Sequence, residues 1–520
     1  MRQLIFVHFV VGLLSQGCSH RSVAVTGDGG VETITTRRDG YVPADAGPTP
    51  GCTALAGLAG GRHLTDRTTV KALFNSSLTR AFLSTQRVGG VGGDLLSVEL
   101  PSGNVSTIAT EVENVAWLGQ ESALLFSSRI GESYSPYELR LLPLSGGPAK
   151  VLGSGICGHR ATPDGSRVYL FRGCTQSSGA TLEVVSVATG SSKVLAKNTS
   201  GLVVSPDSSR AAFVSGVYSS KGCSPRGEAR IVDAAGVMRD IAPKAVARTL
   251  QFLPSGKLLF GVMDSCADSP GFQLMAAGPD DSPPTPLGTK HEFGYGYYVD
   301  DPYVVSPDGA LVLGANMGSG YFSELYAVRT DGGGEILLAS NLFSYTMISL
   351  AFQAFGFSPT RAVYTPAITS KPGPRMGLAS VPSSGGEPKV LSPELFGATY
   401  AVSAGTDEAA VVEKNIDSGI STLRLVTIPT GASKELYESP RVIRQPAFVP
   451  GGRGLLLVDQ EYGVEPTSRL HYVPRGGGSQ VIGAWRNSYA WTQMDPGGCV
   501  VLYNTDFGPD AGTTLALIPR

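Results

Sequence analysis

Residues able to do acid–base or nucleophilic chemistry are few in this chain and widely spaced. Of its six histidines, His63, His159, His291 and His471 lie far apart in the body of the sequence. No Gly-x-Ser-x-Gly nucleophile elbow, Gly-x-x-x-x-Gly-Lys phosphate loop or His-Glu-x-x-His zinc motif occurs. Isolated histidines are more often hydrogen-bonded or solvated than catalytic. The positions of these four histidines therefore do not indicate an active site.

The densest group of residues suited to binding begins at His291 and continues beyond Tyr303. Tyrosine combines a large contact area with a hydrogen-bonding tip and is enriched in interfaces. The sequence predicts a surface for a protein or glycan partner, formed by His291, Phe293, Tyr295, Tyr297, Tyr298, Tyr303, Tyr321, Phe322 and Tyr345. The alternative, that these rings pack inside the protein, fits the sequence equally well.

The chain has seven cysteines, and the secretion signal described below predicts that they reach an oxidising compartment. If Cys18 is set aside, an even number remains, without the paired Cys-x-x-Cys spacing of a zinc site. We therefore expect disulfides, and their positions in the repeats described below favour three pairs: Cys52–Cys499, Cys157–Cys174 and Cys223–Cys266. Unpaired buried thiols are the alternative.

The N-terminus has the pattern of a secretion signal. Arg2 supplies a positive charge, and Leu4 to Leu14 form an apolar stretch too short to span a bilayer. Gly17-Cys18 follows and resembles the lipobox of bacterial lipoproteins, in which the cysteine is lipidated and becomes the first mature residue. Ordinary cleavage that leaves Cys18 as a free thiol is the alternative. We expect a membrane contact through the lipid anchor only.

Composition narrows the class of protein. Hydrophobic residues make up 42% of the chain and charged residues only 16%, while Gly (67) and Pro (35) are abundant. These values favour an all-β fold rich in turns. The formal net charge of -2 argues against nucleic acid as a partner. Residues 19–51 have no sustained apolar period and are predicted to be a flexible tether.

One phrase recurs along the rest of the chain: an apolar strand, a tight turn and a second apolar strand. Its clearest copy is Ser306-Pro307-Asp308-Gly309, in which Pro307 presets φ and Gly309 accepts positive φ. Further copies begin at Thr162, Ser205, Leu253, Ser358, Val449 and Asp495, and degraded copies lie near Asn75, Leu118 and Ser403. The phrase occurs about ten times, at intervals of roughly 45 residues.

Each unit continues with a loop, a third strand, a Gly-rich turn and a short fourth strand. Four antiparallel strands in such a period are typical of a β-propeller blade. The chain ends at Thr514–Arg520 in a third strand without a fourth, whereas Ala59–Thr65 resembles the turn and fourth strand of a unit without a beginning. We therefore predict a propeller over 52–520 whose N-terminal strand completes the last blade. A single large ring is favoured, with two smaller propellers as the alternative.

The Ser-Pro-Asp-Gly turn followed by apolar residues resembles the repeat of TolB-like propellers, also called PD40 or WD40-like repeats. The resemblance covers about residues 60–520. It implies a periplasmic scaffold or the propeller half of a prolyl oligopeptidase-type hydrolase. The repeats leave no room for the α/β domain of such a hydrolase.

The sequence favours a non-catalytic binding scaffold of the cell envelope, on the outer membrane facing the periplasm or the surface. It predicts no cofactor, no metal and no catalytic residue. The alternative is a propeller enzyme, of glycan hydrolase or lyase type, with an active site at the central channel. Glu292, Asp300 and Asp301 would be its candidate carboxylates, although they are equally typical of solvated loop charges.

Overall fold

The structure is a computed structural model, and it describes the chain in segments separated by gaps. The described residues are 52, 55, 62–86, 92–100, 102–129, 137–175, 179–218, 225–263, 272–280, 282–289, 303–317, 322–343, 355–365, 376–395, 399–403, 405–415, 418–461, 467–486, 492–505 and 512–519. Their regular structure is almost entirely β-strand, which confirms the all-β prediction. Within these segments, no helix has the length and apolarity needed to cross a membrane.

The strands follow one another in short antiparallel steps. The first half comprises β1 (Arg62–Thr65), β2 (Thr69–Phe74), β3 (Arg80–Thr85), β4 (Gly93–Glu99), β5 (Asn104–Leu118), β6 (Ala123–Arg129), β7 (Tyr137–Pro143), β8 (Lys150–Ala161), β9 (Arg167–Thr175), β10 (Gly179–Ser186), β11 (Ser192–Val204), β12 (Arg210–Tyr218), β13 (Arg226–Asp233), β14 (Met238–Val246), β15 (Gln251–Phe252), β16 (Leu258–Val262), β17 (Gln273–Ala277) and β18 (Thr285–Pro286). The second half comprises β19 (Tyr303–Val305), β20 (Leu311–Met317), β21 (Phe322–Arg329), β22 (Glu335–Phe343), β23 (Phe355–Phe357), β24 (Arg361–Tyr364), β25 (Met376–Pro382), β26 (Lys389–Leu395), β27 (Tyr400–Val402), β28 (Glu408–Lys414), β29 (Ser421–Thr427), β30 (Ser433–Ser439), β31 (Val442–Phe448), β32 (Gly454–Glu461), β33 (Thr467–Pro474), β34 (Gln480–Arg486), β35 (Thr492–Met494), β36 (Val500–Asn504) and β37 (Thr513–Leu517). Helical turns are short: α1 (Gly119–Ser122) and 3-10 turns at Ala247–Thr249 and Pro450–Gly452.

The recurring turn forms for a local chemical reason. The Ser306 hydroxyl donates to the Asp308 carboxylate at 2.6 Å, and the same carboxylate accepts the backbone N–H of Ala310 at 3.0 Å. Gly309 takes φ 72° and closes the turn by donating its N–H to the Ser306 carbonyl. Ser205 and Asp207 form an equivalent pair, and the hydrogen bond from the Ser205 hydroxyl is the main reason that the pKa of Asp207 is lowered to about 2.

Ten four-stranded units, here called blades 1 to 10, can be traced through the described strands. Blades 6 to 9 are β19–β22, β23–β26, β27–β30 and β31–β34. Blade 10 has the order β1-β37-β36-β35. In blades 1 to 5, pairings follow chain order from β2 to β18, except that β16 pairs with both β14 and β15. Long strands serve as the fourth strand of one blade and the first strand of the next. Those shared strands are β5, β8, β11 and β14.

The shared strands bend where they leave one blade for the next. Glu111 in β5, Asn198 in β11 and Lys244 in β14 have φ values of 58°, 52° and 57°, the left-handed region that side chains rarely adopt. The pairing register shifts beside these points. This backbone turn lets one strand serve two blades that face different directions.

Apolar clusters between neighbouring blades show that the blades form one ring. Ten such clusters are found among the described residues, one for each successive pair of blades, with the last joining blade 10 to blade 1. Phe82 and Phe126 meet between blades 1 and 2, for example. Leu83 of blade 1 and Leu502 of blade 10 belong to the cluster between the first and last blades, a contact here called the seam. Because one blade cannot cover both of its own faces, this cyclic packing supplies the core.

Polar contacts reinforce the seam between blades 10 and 1. Strand β1 pairs antiparallel with β37. Asn504 accepts the N–H of Thr69 at 3.0 Å and donates to its carbonyl at 2.8 Å, while Gln493 makes the same two contacts with Ala72. These amide side chains satisfy the backbone groups of β2 that face blade 10.

Candidate functional site

First strands of neighbouring blades contact one another directly, whereas fourth strands carry exposed aliphatic residues such as Val151 and Val194. The first strands therefore lie at the inside of the ring. The turns joining strands one to two and three to four form one face, here called the turn face. The loops joining strands two to three and the connections between blades form the other, the loop face.

A cluster of polar side chains lies near the loop face of blades 1 to 3. The Lys71 ammonium on β2 donates to the Asn114 side-chain oxygen on β5 at 3.2 Å, which joins blades 1 and 2. Beside Asn114, Glu113 accepts hydrogen bonds from the Arg129 guanidinium at 3.0–3.1 Å. Arg129 pairs with this carboxylate, and the Lys71 ammonium adds a positive charge to the cluster.

His159 of blade 3 completes this cluster. Its Nδ1 lies 3.4 Å from the Tyr137 hydroxyl of blade 2, and the two rings meet edge to face. Burial, with a smaller effect from the positive charge of Lys71, lowers the pKa of His159 to about 4. Burial and the negative charge of Glu113 raise the pKa of the Tyr137 hydroxyl. At neutral pH both side chains are therefore uncharged hydrogen-bonding groups.

A disulfide fixes the strand that carries His159. Cys157 on β8 and Cys174 on β9 are bonded, and Cys157 lies two residues before the histidine. The bridge ties together the hairpin built on the turn at Pro163. This is one of the expected pairings, and it joins the two strands of the hairpin beside His159.

The shifted pKa of His159 makes stability depend on pH. The unfolded chain binds a proton there near pH 6.5, whereas the folded chain does so only near pH 4. Stability from this residue is therefore complete above about pH 6.5 and falls as the pH decreases toward 4. We expect His159→Gln to remove about 2–3 kcal/mol of this dependence, measured by urea unfolding at pH 7 and pH 4. Equal pH dependence in the variant and the parent would contradict the expectation; His63→Gln, at an exposed position, is the control.

Most of the predicted aromatic surface lies outside the described residues: His291, Phe293, Tyr295, Tyr297, Tyr298, Tyr321 and Tyr345. The side chain of Phe322 is likewise outside them. Tyr303 is described, and it is 5% exposed between blades 5 and 6, with its hydroxyl donating to the Thr249 carbonyl. For this residue the packing alternative holds, because its ring fills the core and its polar tip is satisfied there.

The remaining cysteines and histidines are distributed as follows. Cys52 and Cys499 are bonded across the seam, whereas Cys18, Cys223 and Cys266 lie outside the described residues, as do Glu292, Asp300 and Asp301. His63 is exposed and pairs with Asp66. His471 is buried between blades 8 and 9, where burial lowers its pKa although Asp459, 3.7 Å away, favours the charged form. In the described segments, no group of three or more His, Cys, Asp and Glu residues could hold a metal ion.

The cluster around Lys71 was not recognised as a set in the sequence. Lys71 and Asn114 are 43 residues apart, one repeat period, and each pairs with a serine of the second strand, Ser84 or Ser127. Aligning the repeats by strand register, rather than by turn motif, would have placed them together. Tyr137 carries no such periodic signal, because it enters from a third strand.

Comparisons with known proteins give no family. No protein-family model and no curated protein matches the chain. Among solved structures, a eukaryotic initiation factor is similar at 10% identity and TM-score 0.46, covering 75% of this chain and 96% of that one. TolB from Acinetobacter baumannii is similar at 16% identity and TM-score 0.26, covering 56% and 74%, and the tricorn protease at 12% and 0.26, covering 85% and 46%. At TM-scores below 0.5, these likenesses add nothing to the fold shown by the chain's own strand pairing, which is an all-β propeller.

Proposed function

We propose that this protein is a non-catalytic binding protein that holds a glycan or protein partner on the loop face of its propeller. One observation carries the proposal: side chains from three blades place hydrogen-bonding groups beside the Lys71 ammonium, namely Asn114, Tyr137 and His159. Such a group fits an oxygen-rich ligand that bears a carboxylate, because Lys71 supplies the charge and the neutral side chains supply the hydrogen bonds.

The protonation states in this cluster favour binding over catalysis. A general acid or base is most effective when its pKa is near the working pH. His159, with a pKa of about 4, is a weak base at neutral pH, and Tyr137 is a weaker acid than usual. Glu113 is held by Arg129. Neither His159 nor Tyr137 is set to exchange protons at pH 7.

The second candidate function is glycan cleavage by a lyase reaction, and the Tyr137–His159 pair beside Lys71 is the observation that favours it. In such a β-elimination, a base removes the proton next to the uronate carboxylate, and the glycosidic C–O bond breaks as the double bond forms. His159 would accept the proton, Tyr137 would protonate the leaving oxygen, and Lys71 would face the carboxylate. The low pKa of His159 ranks this candidate second.

The cell envelope is the proposed location. The two disulfides are typical of proteins that fold outside the reducing cytoplasm. The proposed anchor is a lipid on Cys18, and incorporation of labelled palmitate that is lost in Cys18→Ser would support it. Equal labelling of the Cys18→Ser protein would exclude this anchor.

The binding proposal is tested by titrating the full chain with an oligogalacturonate and with its neutral, reduced counterpart. We expect binding of the acidic oligosaccharide only, and about tenfold weaker binding by Lys71→Gln, since one charge-assisted hydrogen bond contributes about 1.5–3 kcal/mol. Lys197→Gln, at an exposed lysine of a fourth strand, is the matched control. Equal affinity in both variants would refute the site, and an unsaturated product detected by ultraviolet absorbance would favour the lyase.

A further inference from the structure

The groove between blades 1 and 2 opens on the turn face, opposite the site proposed above. It contains a cavity of about 500 Å³, lined by Asn75, Thr79, Arg80, Phe82, Glu99, Ser102 and Leu144. An adjoining space of about 420 Å³ shares four of these residues and extends to Ser97, Ser106, Gly146 and Gly147. The two spaces form one groove between the outer strands of blade 1 and the last turn of blade 2.

In six of the other nine blades a long cationic side chain crosses the equivalent gap, whereas the same position holds Thr285, Ile336 and Gln480 in the remaining three. Six residues share one position in the strand register of the fourth strand and are here called the rim cations: Arg62, Lys150, Lys193, Arg239, Lys389 and Lys434. Each pairs across the sheet with the residue equivalent to Ser97 in its own blade. In blade 1 the same register position holds Ser106, which is opposite Ser97.

Each rim cation reaches the turn between the third and fourth strands of the next blade. The Lys434 ammonium donates to the carbonyls of Arg475 and Gly476 at 2.9 and 3.2 Å, and Arg239 donates to the Asp280 carbonyl at 2.5 Å. A Cβ placed on Gly190 or Gly236 would lie 3.1 Å from the ammonium of Lys150 or Lys193. The remaining two, Arg62 and Lys389, pack in the same way against Gly103 and Gly431.

The equivalent turn of blade 2 receives no such cation. A Cβ placed on Gly146 or Gly147 would meet no atom within 4 Å, because Ser106 is too short to cross the groove. Leu144 and Ser145 of this turn correspond to Arg475 and Gly476, whose carbonyls bind Lys434. The turn of blade 2 therefore offers the same carbonyl groups to an ammonium or guanidinium group, but no side chain of blade 1 reaches them.

Two charged side chains beside this place indicate what would fill it. Glu99 is exposed, and its carboxylate accepts hydrogen bonds from Ser102 and Asn104 at 3.0 and 3.2 Å, so that it points along the groove as an anion. Arg80 on β3 is the cross-strand neighbour of Glu99, and after the hydrogen bonds from Ser102 and Asn104 its positive charge also lowers the pKa of the Glu99 carboxyl. Among the described residues no acceptor lies within hydrogen-bond or salt-bridge distance of its guanidinium. Its counterparts Arg167 and Arg210 donate to turn carbonyls of the next blade.

We propose that this groove binds a lysine or arginine side chain of a partner protein, which supplies in trans the cation that blade 1 lacks. The incoming cation contacts Glu99 and the turn of blade 2, and Arg80 binds a backbone carbonyl of the same partner segment. The need for both a cation and a carbonyl favours a polypeptide over a polyamine or a glycan. This surface is independent of the loop-face site.

The test uses the full chain and two probes, Nα-acetyl-lysine amide and Nα-acetyl-norleucine amide. We expect the lysine probe to shift the amide resonances of Gly146 and Gly147 in a saturable way, and the isosteric norleucine probe to leave them unchanged. Glu99→Gln should weaken lysine binding about tenfold. Saturable shifts by both probes, or by neither, would overturn the proposal.

The variant Ser106→Lys tests the proposal independently. Ser106→Lys should supply the missing cation within the chain, abolish binding of the lysine probe and raise the melting temperature by roughly 1–2 °C. Ser106→Met, similar in length but uncharged, is the matched control and should raise the melting temperature less. If Ser106→Lys still binds the lysine probe, or stabilises no more than Ser106→Met, the proposed cation site is wrong.

Discussion

Deletion of residues 52–66 will abolish the single cooperative melting transition of the propeller. The deletion removes strand β1 and leaves the edge of β37 unpaired in blade 10. It also removes Leu64 from the core at the seam and breaks the Cys52–Cys499 bridge, which links residues 447 positions apart. A disulfide typically contributes about 2–4 kcal/mol and a buried leucine about 2–5 kcal/mol. Their combined loss is comparable to the whole stability of a domain, about 5–15 kcal/mol.

Calorimetry of the deletion variant beside the intact protein measures this effect. Cys52→Ser separates the contribution of the bridge, and Leu64→Ala separates that of the core; each should lower the melting temperature while keeping one transition. Adding a synthetic peptide of residues 52–66, with its disulfide formed, should restore part of the cooperativity. A deletion variant that melts like the intact protein would show that the ring does not depend on β1.

Replacement of Asp459 by alanine will destabilise the contact between blades 8 and 9 by about 3 kcal/mol. Asp459 is 2% exposed and accepts hydrogen bonds from Tyr437 at 2.9 Å and Ser439 at 2.7 Å, both on the fourth strand of blade 8. Its other oxygen lies 3.6 Å from the Arg441 guanidinium. Alanine leaves two hydroxyl groups and a largely buried cation without this partner, and the cost of burying such groups exceeds that of losing an exposed ion pair.

Urea unfolding measures this difference, with Asp331→Ala as the matched control. Asp331 pairs with Arg329 on the surface, and because water screens this exposed pair its loss should change stability far less. Asp459→Ala should also lower the pKa of Tyr437, which burial and Asp459 together raise to about 12. A loss in Asp459→Ala no larger than in Asp331→Ala would show that the cluster contributes little to the ring.

The repeat could be recognised in the sequence because its turn depends on local hydrogen bonds. Ser306, Asp308 and Gly309 form the same hydrogen bonds wherever their types recur, because these bonds lie within one turn and need no neighbour. The unpaired strand at each end of the sequence predicted the partnership of β1 and β37 for a similar reason, since a strand with an open edge requires a partner. The cysteine pairs at Cys52 and Cys157 followed from their positions in these repeats.

The sites could not be predicted in the same way. Whether Lys71 meets Asn114 depends on which side chains of successive first strands converge, and the bulge in each long strand changes that register by a residue. The sequence also could not predict whether the Tyr303 ring is exposed or buried, because a tyrosine suits a binding surface and a core equally well. Its burial was decided by the space between blades 5 and 6.

The sequence alone determined the all-β class, the period of the repeat and the way the ends of the chain complement each other, because each of these depends on contacts a few residues apart or on counting strands. Only the tertiary structure decided that one ring forms, that Lys71 and His159 share a site, and that Ser106 leaves a gap filled by a cation in six other blades. Those features depend on distances between blades, which the order of residues along the chain does not contain.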